Sequence, residues 1–341
     1  MNALYLDPFS IAPVVPTEAA RDVVALMNRF GSERRPFIFI IDFLMQQPVA
    51  IPLDEVNPDS ILFDFDGITN AGFSKYESGR PFMYEKEPVS YSDYQKAFDF
   101  VTKHLQFGNS YLLNLTQPTQ VRTNLSLEEI FYRSRAQYKL FWRDRFVVFS
   151  PELFVLIENG RIESHPMKGT IDASQHDAES RLLSDRKELA EHHTIVDLIR
   201  NDMNRVAVNV KLERFRFITK VKTHQKELLQ VSSSITGELK GDYLSYLGNI
   251  LFCMLPAGSV SGAPKKKTIE IILEAENYER GYYTGVCGIF DGQRLNSGVM
   301  IRFIEHKKNQ LWFKSGGGIT VNSNCSNEYQ ELIDKVYVPF I

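Results

Sequence analysis

A lysine in a short Pro/Gly segment is the first residue of this chain whose setting suggests chemistry. Lys168 lies in residues 166–170, which read Pro-Met-Lys-Gly-Thr and follow a strand-like segment. A lysine held at such a turn, with its ammonium partly removed from water, has a lowered pKa and can act as a nucleophile. A turn lysine whose ammonium simply reaches solvent would give the same pattern, so these residues alone leave both interpretations open.

Two helix-like segments each carry a pair of glutamates spaced by three residues: Glu188 with Glu191, and Glu328 with Glu331. Residues at this spacing lie on one face of a helix. Two such pairs facing each other across a cleft would offer the carboxylate oxygens that Mg²⁺ prefers, with one direct ligand from each helix. Two solvated helix faces would show the same spacing, so a metal site is one of two hypotheses.

Several other segments could bind an anionic ligand. Residues 255–265 are rich in small residues and open a helix, so their backbone N–H groups could seat a carboxylate or a phosphate, or the segment could be a packing turn. Residues 315–318, Ser-Gly-Gly-Gly, either allow close approach of a ligand or form a flexible turn. Arg302 lies among apolar residues and needs a partner, either a substrate carboxylate or an internal glutamate. The polar cluster at 197–202 is interpreted as a cap for the end of its helix.

A mixed arrangement of strands and helices must position these residues. Strands are predicted at 37–43, 110–117, 146–150, 153–158, 205–210, 214–221, 285–290 and 311–314. Helices are predicted at 17–29, 91–107, 126–138, 178–201, 243–254, 265–275 and 327–336. Runs of strands alternate with single helices, which favours an α/β (α+β) fold with large antiparallel β-sheets over a doubly wound parallel sheet.

Composition excludes several classes of protein. The chain has 341 residues, 43% of them hydrophobic, and a net charge of −3 from 39 basic and 42 acidic residues. These values argue against global disorder, and the mixed charges argue against binding to nucleic acid or to a membrane surface. No secretory signal is expected, and Cys253, Cys287 and Cys325 have no metal-ligand spacing. Reduced thiols and a cytoplasmic location are therefore expected, with Cys287 in the core.

A set of segments in a fixed order resembles the chorismate-utilising enzyme family, which includes anthranilate synthase component I, aminodeoxychorismate synthase component I, isochorismate synthase and salicylate synthase. The segments are residues 150–154, 166–170, 190–192, 195–202, 256–265, 280–285 and 316–319. The resemblance covers roughly residues 90–341. It implies a single chorismate-binding catalytic domain over 1–341, with sheets in a sandwich, helices outside, and 1–90 as a reduced N-terminal part of the same fold.

The resemblance also assigns roles to individual residues. It implies that Glu191 and Glu331 bind Mg²⁺ directly and that Glu188 and Glu328 act through water. It makes Glu152 the general acid that protonates the departing 4-hydroxyl of chorismate. The positions that match substrate-binding groups of the family are Thr170, Tyr283, Arg302, Gly316, Gly318 and Lys335.

Lys168 then distinguishes between the reactions of the family. Members similar to anthranilate synthase carry alanine here, whereas aminodeoxychorismate synthase carries a lysine that is proposed to add at ring C2 before ammonia adds at C4. Isochorismate and salicylate synthases need a water-activating lysine where this chain has Leu112. The resemblance therefore implies amination of chorismate for 4-aminobenzoate and folate synthesis, with ammonia from a separate glutamine amidotransferase subunit.

Alternatives and departures remain open at this point. The product could instead be anthranilate or isochorismate, or the chain could be a non-catalytic chorismate-binding subunit. Leu112 also replaces a glutamine expected in amine-transferring members, Gln230 stands about where many members carry a histidine, and Asn322 stands where an aspartate is common. These departures leave the metal-ligand and nucleophile positions intact.

Overall fold

A computed structural model of the chain describes residues 7–10, 12, 14–73, 76, 81–184, 186–222 and 227–340. For residues 168, 170, 186, 187, 221, 222, 227 and 228 it describes the backbone and not the side chain. The α-helices within these ranges are α1 (Glu18–Ser32), α2 (Tyr91–Gln106), α3 (Leu127–Arg133), α4 (Ala178–Ser184), α5 (Arg186–Asn204), α6 (Leu247–Met254), α7 (Lys265–Ala275) and α8 (Cys325–Asp334).

Three predicted helices differ from the observed ones. The first four residues of the helix predicted at 243–254 form a 3₁₀ turn, and α6 begins at Leu247. The helix predicted at 126–138 ends as α3 at Arg133, because Ser134 adopts an extended conformation and Tyr138 begins a strand. The helix predicted at 178–201 is observed as α4 and α5. Side chains cap several helix starts. The Asn324 side chain, for example, accepts a hydrogen bond from the backbone N–H of Asn327 in α8.

The first of two antiparallel sheets contains strands from both ends of the chain. Its strands are β1 (Phe37–Ile41), β2 (Val49–Pro52), β9 (Leu153–Glu158), β10 (Arg161–Ser164), β11 (Met167–Asp172), β12 (Val208–Lys222), β13 (Glu227–Glu238), β15 (Val286–Phe290) and β16 (Leu295–Val299). They follow the order β11-β13-β10-β9-β16-β15-β1-β2, and β12 also pairs with β13. The two strands predicted at 205–210 and 214–221 are thus the single strand β12, whose pairing with β13 is shifted at three places.

The second sheet carries the Ser-Gly-Gly-Gly segment. Its strands are β3 (Ile61–Phe65), β4 (Ile68–Thr69), β5 (Tyr84–Glu87), β6 (Leu112–Thr123), β7 (Tyr138–Trp142), β8 (Phe146–Ser150), β14 (Gly262–Ala263), β17 (Phe303–Lys307) and β18 (Gln310–Ile319). They follow the order β14-β6-β18-β17-β8-β7-β3-β4, and β5 also pairs with β6.

The two sheets pack face to face with helices on their outer faces, as the sequence predicts. Apolar side chains of β1 and β15, among them Ile38 and Cys287, share one buried cluster with Phe63 of β3 and Phe146 of β8. On the other side of β1, Phe39 packs in a cluster with residues of α1 and α6. The prediction that Cys287 is a core residue is confirmed, because its side chain is buried in this inter-sheet cluster.

One stretch of the chain has the length and composition of a membrane-crossing helix. Residues Tyr243–Val260 have a mean hydropathy of 1.3, but 72% of this window is buried inside the fold. The window contains α6 and the turns on both sides of it, so its apolar character is that of a core helix.

A buried ion pair ties the second sheet to the loops that border it. Both oxygens of Glu276 accept hydrogen bonds from Arg280, at 2.7 and 2.8 Å, and both side chains are 2% exposed. The guanidinium also donates to the carbonyl oxygens of Val260, at 2.8 Å, and Asn114, at 2.7 Å. Glu276 in turn accepts from the backbone N–H and the hydroxyl of Thr116 at 2.9 Å. Burial opposes the charge on Arg280, but Glu276 outweighs this effect and raises the pKa of the guanidinium.

Removing the Arg280 guanidinium should destabilise the whole fold, because it leaves the Glu276 carboxylate buried without its countercharge. We expect Arg280→Ala to lower the free energy of unfolding, measured by urea denaturation, by about 3–5 kcal/mol. Arg35→Ala is the matched control, since Arg35 pairs with Asp54 and Glu55 at the surface, where such pairs contribute about 1 kcal/mol or less. Equal losses in the two variants would show that the Arg280 pair does not support the fold.

Candidate active site

The candidate site begins where strand β18 continues past the end of its neighbour β17. Pairing between the two strands stops at Phe303, whereas β18 runs on beside β6 to Ile319, with Gly318 opposite Asn114. Residues 315–318 therefore have one edge with no strand partner in the described part of the chain. The possibility that this segment is a flexible turn is wrong, because its backbone is held in a strand by β6.

The two glutamates of α8 lie against this glycine-rich strand. A Cβ on Gly317 would lie 3.5 Å from Oε2 of Glu328 and 3.5 Å from Oε1 of Glu331. Glu328 is buried, whereas Glu331 is exposed and its Oε1 lies 2.6 Å from Nζ of Lys335. Lys335 also donates a hydrogen bond to the carbonyl oxygen of Gly316 at 2.9 Å. The structure therefore brings the predicted α8 metal ligands and the predicted substrate lysine together at one edge.

The glutamates of α5 lie beside the segment that carries Lys168. Oε2 of Glu188 is 3.4 Å from the position that a Cβ on Gly169 would occupy. Glu191, one helical turn further along, is buried at 6% exposure. Helix α5 also packs against the 3₁₀ turn Gly258–Val260, so the same helix borders two of the segments that the sequence singled out.

The four glutamates have the chemistry of a Mg²⁺ site, because carboxylate oxygens suit a hard divalent cation. The positions of the four side chains do not form a complete metal site. In the parts of the chain that the structure describes, no group of three or more His, Cys, Asp or Glu side chains could hold a metal ion. Each pair of glutamates belongs to one helix, and the described residues do not gather the two pairs into one ligand cluster.

The Pro/Gly segment that contains Lys168 is not the turn that the sequence predicts. It forms the start of β11, which pairs with β13 through a register shift between Met167 and Thr170. Gly169 has a φ of +78°, a left-handed conformation that favours glycine. A bulged strand with a left-handed glycine favours the same residue types as a turn. The sequence therefore predicts a turn where the chain forms a bulged strand. The side chains of Lys168 and Thr170 lie outside the described residues, so their roles stay predictions.

Glu152 lies directly after β8, where two segments of the candidate site meet. The backbone N–H of Glu152 donates a hydrogen bond to the hydroxyl of Ser150 at 3.1 Å. The hydroxyl of Ser259, in the 3₁₀ turn Gly258–Val260, donates to Oε1 of Glu152. Ser259 and Glu152 line the same small cavity, which lies between strands of the first sheet and helix α5. The small-residue loop therefore touches the predicted general acid directly, a contact that the sequence did not indicate.

Tyr283 and Arg302 both lie at the start of β17, Tyr283 by packing on Phe303 and Arg302 as the residue before it. Tyr283 is buried with its ring against Phe303, at 5.8 Å between ring centres, and burial raises the pKa of its hydroxyl. Arg302 precedes the strand with a φ of +53°, and its guanidinium lies 5.0 Å from the centre of the Tyr337 ring. Among the described residues no ion pair joins Arg302 to a glutamate, and its recorded neighbour is the Tyr337 ring.

The prediction that the polar cluster at 197–202 caps the end of its helix is wrong, because α5 continues to Asn204 and contains the cluster. Asp202 is buried and its Oδ1 lies 2.6 Å from Nζ of Lys265, which also donates to the carbonyl oxygen of Met254 at 2.8 Å. Burial raises the pKa of Asp202 and lowers that of Lys265, and their attraction opposes both shifts. This pair holds the small-residue loop to α5, while Asp197 is exposed and bonds to Arg200. No local signal in the sequence joins Asp202 to Lys265.

The three departures from the family pattern have different surroundings. Leu112 is buried at 3% exposure in the cluster that includes residues of α5 and α6. Gln230 lies opposite Thr170 in the pairing of β11 with β13. Asn322 is exposed between β18 and α8. Leu112 is thus fully part of the apolar core, in keeping with its inability to activate water.

Comparison with known sequences finds related proteins that align with most of this chain. An uncharacterized PabA-like protein of Pasteurella multocida is 52% identical over 92% of this chain and 96% of its own length. Aminodeoxychorismate synthase component 1 of Salmonella typhimurium is 34% identical over 72% of this chain and 56% of its own length. Anthranilate synthase component 1 of Acetivibrio thermocellus is 32% identical over 72% of this chain and 52% of its own length. The chain therefore spans about half of each of the two named synthases.

Comparison with solved structures supports the same fold. A crystal structure described as a 2,3-dihydroxybenzoate-specific isochorismate synthase from Bacillus anthracis matches with a TM-score of 0.70 over 93% of this chain and 86% of that one. Sequence identity is 18%, so this match concerns the fold alone. The family model for chorismate binding enzymes matches residues 52–340. A match of this extent shows that the chain belongs to the chorismate binding enzyme family.

Proposed function

We propose that this protein catalyses the Mg²⁺-dependent amination of chorismate with ammonia to 4-amino-4-deoxychorismate, as a component I of aminodeoxychorismate synthase. The observation that carries the proposal is Lys168, at the position where the resemblance puts a nucleophile and in a family that uses chorismate. The backbone supports this role, because the bulge beside Lys168 brings Gly169 next to the Glu188 carboxylate of α5.

Glu152 would act as the general acid in the first half of the reaction. Its hydrogen bond from Ser259 fixes the orientation of the carboxyl group. A protonated Glu152 would give its proton to the 4-hydroxyl of chorismate, which leaves as water. Neutral Lys168 would form a bond from Nζ to ring C2 as the ring double bonds shift and the C4–O bond breaks.

Ammonia would complete the reaction in the second half. Its lone pair forms the bond to C4, the ring double bonds shift back, and the electron pair of the C2–Nζ bond returns to Lys168. Dividing one difficult displacement into two steps is the benefit of covalent catalysis. The net change is the replacement of the 4-hydroxyl by an amino group.

The remaining site residues would bind the substrate and the cation. Glu191 and Glu331 would hold Mg²⁺ directly and Glu188 and Glu328 through water, and the bound ion would supply positive charge for the ring carboxylate. The residues proposed to bind the substrate are Thr170, Tyr283, Arg302, Gly316, Gly318 and Lys335. Arg302 supports this assignment, since among the described side chains it has the Tyr337 ring as its neighbour and no carboxylate partner.

The proposal extends to a partner and a pathway. Ammonia would come from a separate glutamine amidotransferase subunit, and the product would serve 4-aminobenzoate and folate synthesis in the cytoplasm. Cys287 is an unsuitable glutaminase nucleophile, because it is buried in the inter-sheet core and burial raises the pKa of its thiol.

Anthranilate synthesis is the second candidate. Similarity does not separate it from the first, since the anthranilate and aminodeoxychorismate synthases are 32% and 34% identical to this chain over the same share. Isochorismate synthesis has less support, because apolar Leu112 stands where a water-activating lysine would be needed. A non-catalytic chorismate-binding subunit would not need Glu152 or Lys168.

Identification of the product tests the function directly. We expect the purified chain, given chorismate, ammonium and Mg²⁺, to form 4-amino-4-deoxychorismate, identified by chromatography and mass. Accumulation of fluorescent anthranilate would transfer the assignment to the second candidate. No turnover at saturating concentrations of all three would favour the non-catalytic subunit.

Lys168→Ala tests the covalent role of the lysine. We expect this variant to lose detectable product formation while calorimetry still shows chorismate binding, because the substrate contacts remain and the nucleophile is gone. Lys220→Ala, at an exposed position of β12 in the same sheet, is the control and should keep full activity. Undiminished product formation by Lys168→Ala would remove the covalent step from the mechanism.

Metal dependence tests the roles of the glutamates. We expect EDTA to abolish turnover and added Mg²⁺ to restore it, and Glu191→Gln to raise the Mg²⁺ concentration for half-maximal activity by at least about tenfold. Calorimetric titration with Mg²⁺ and no ammonia should show the same loss of affinity without relying on activity. Glu270→Gln, on an exposed face of α7, should leave the Mg²⁺ concentration for half-maximal activity and the calorimetric Mg²⁺ affinity unchanged. Equal Mg²⁺ affinity in wild type and Glu191→Gln would reject the ligand assignment.

A further inference from the structure

The side chain of Asn114 is a polar group that the proposed mechanism does not yet use. Its backbone is fixed on both sides, since its N–H donates to the carbonyl oxygen of Ser261 at 2.8 Å and its carbonyl accepts from Arg280 at 2.7 Å. Opposite it in the strand pairing lies Gly318, which has no side chain to cover it. The Asn114 side chain therefore projects from a rigid backbone beside the glycine-rich edge of the candidate site.

Asn114 lies on the face of β6 that is turned towards the loop at residues 255–265, whereas the α8 glutamates lie against the other face, beside Gly317. The neighbours of Asn114, Leu113 and Leu115, pack in the cluster beneath α2, α7 and α8. Side chains alternate along a strand, so Asn114 lies on the opposite face, together with Leu112 and Thr116. Leu112 packs there in the cluster that includes Val260 of the small-residue loop and residues of α5.

The side-chain oxygen of Asn114 lacks a hydrogen-bond donor among the described residues. This atom, Oδ1, is buried. A buried carbonyl oxygen without a donor costs about 1–3 kcal/mol, so its presence beside a ligand site points to a donor that arrives with the ligand.

The chemistry of the reactants limits which donor this is. The carboxylates of chorismate are hydrogen-bond acceptors, so they suit the donors of Arg302, Lys335 and the backbone N–H groups of residues 315–318. The carbonyl oxygen of Asn114 would repel them. Ammonia has N–H groups to donate and a lone pair that must stay free for attack. An amide oxygen accepts an N–H without taking a proton, so it can orient ammonia and cannot activate water.

We propose that Asn114 is the positioning residue for the incoming ammonia, an inference that rests on the proposed amination. Oδ1 accepts one N–H of ammonia and directs the nitrogen lone pair at C4. As the N–C4 bond forms, the electron pair of the C2–Nζ bond returns to Lys168, and Asn114 gains and loses no proton. With Leu112 two residues before it on the same face, this surface offers ammonia a hydrogen bond and offers water no base.

Asn114→Leu tests this role, because leucine has nearly the same shape and can neither donate nor accept. We expect kcat/KM for ammonium to fall about tenfold, with the KM for chorismate unchanged. Thr119→Val is the matched control. The Thr119 hydroxyl is also buried on β6 with no partner among the described residues, but it lies on the opposite face, so its loss should leave both constants unchanged. Circular dichroism and the urea midpoint establish that each variant is folded.

The outcomes separate this proposal from the function on which it rests. Wild type that forms no aminated product with ammonium defeats the proposed function and the role of Asn114 together. If wild type turns over normally and kcat/KM for ammonium is unchanged in Asn114→Leu, only the role of Asn114 is defeated. A raised KM for chorismate in Asn114→Leu also overturns it, because Oδ1 would then bind the 4-hydroxyl of the substrate. If Asn114→Leu does not fold, Asn114→Ala is measured against Thr119→Ala with the same criteria.

Discussion

The buried ion pair of Arg280 with Glu276 is the interaction on which the rest of the structure depends. Charges in a dry interior are costly unless every polar group around them is satisfied, and here the guanidinium is satisfied by carbonyl oxygens of distant segments. Those carbonyls belong to Val260 in the small-residue loop and to Asn114 in β6. The requirement to satisfy one buried cation therefore fixes the loop and the strand that border the candidate site.

Two further buried cations hold irregular segments in the same way. Lys314 donates to the carbonyl oxygen of Arg280 at 2.8 Å and lies 2.9 Å from Glu305, and burial lowers its pKa. Lys265 joins Asp202 at the end of α5 to the end of α6. Buried charged side chains thus hold in place the irregular segments that border the strands and helices of the candidate site.

Much of the fold follows from local patterns in the sequence. Strands β8 and β9 and helix α7 have the predicted bounds, because each combines a strong apolar period with clear end signals. The sequence predicts a turn at residues 166–170, and a flexible turn is one of two interpretations of residues 315–318. Both segments lie largely in strands instead. Glycine permits both states, and only pairing with β13 or β6 selects the strand. That pairing involves residues remote in the chain, which local propensity does not report.

The sequence by itself determined the types of the chemical groups and favoured antiparallel sheets, because these depend on short motifs and on apolar periodicity. The packing of the sheets in a sandwich was implied by the family resemblance. Only the tertiary structure decided which groups meet. Ser259 reaches Glu152 across 107 residues, Lys265 reaches Asp202 across 63, and Arg280 reaches Asn114 across 166. Such contacts are selected by how two sheets close on each other and by the need to pair every buried charge, and no local pattern encodes that closure.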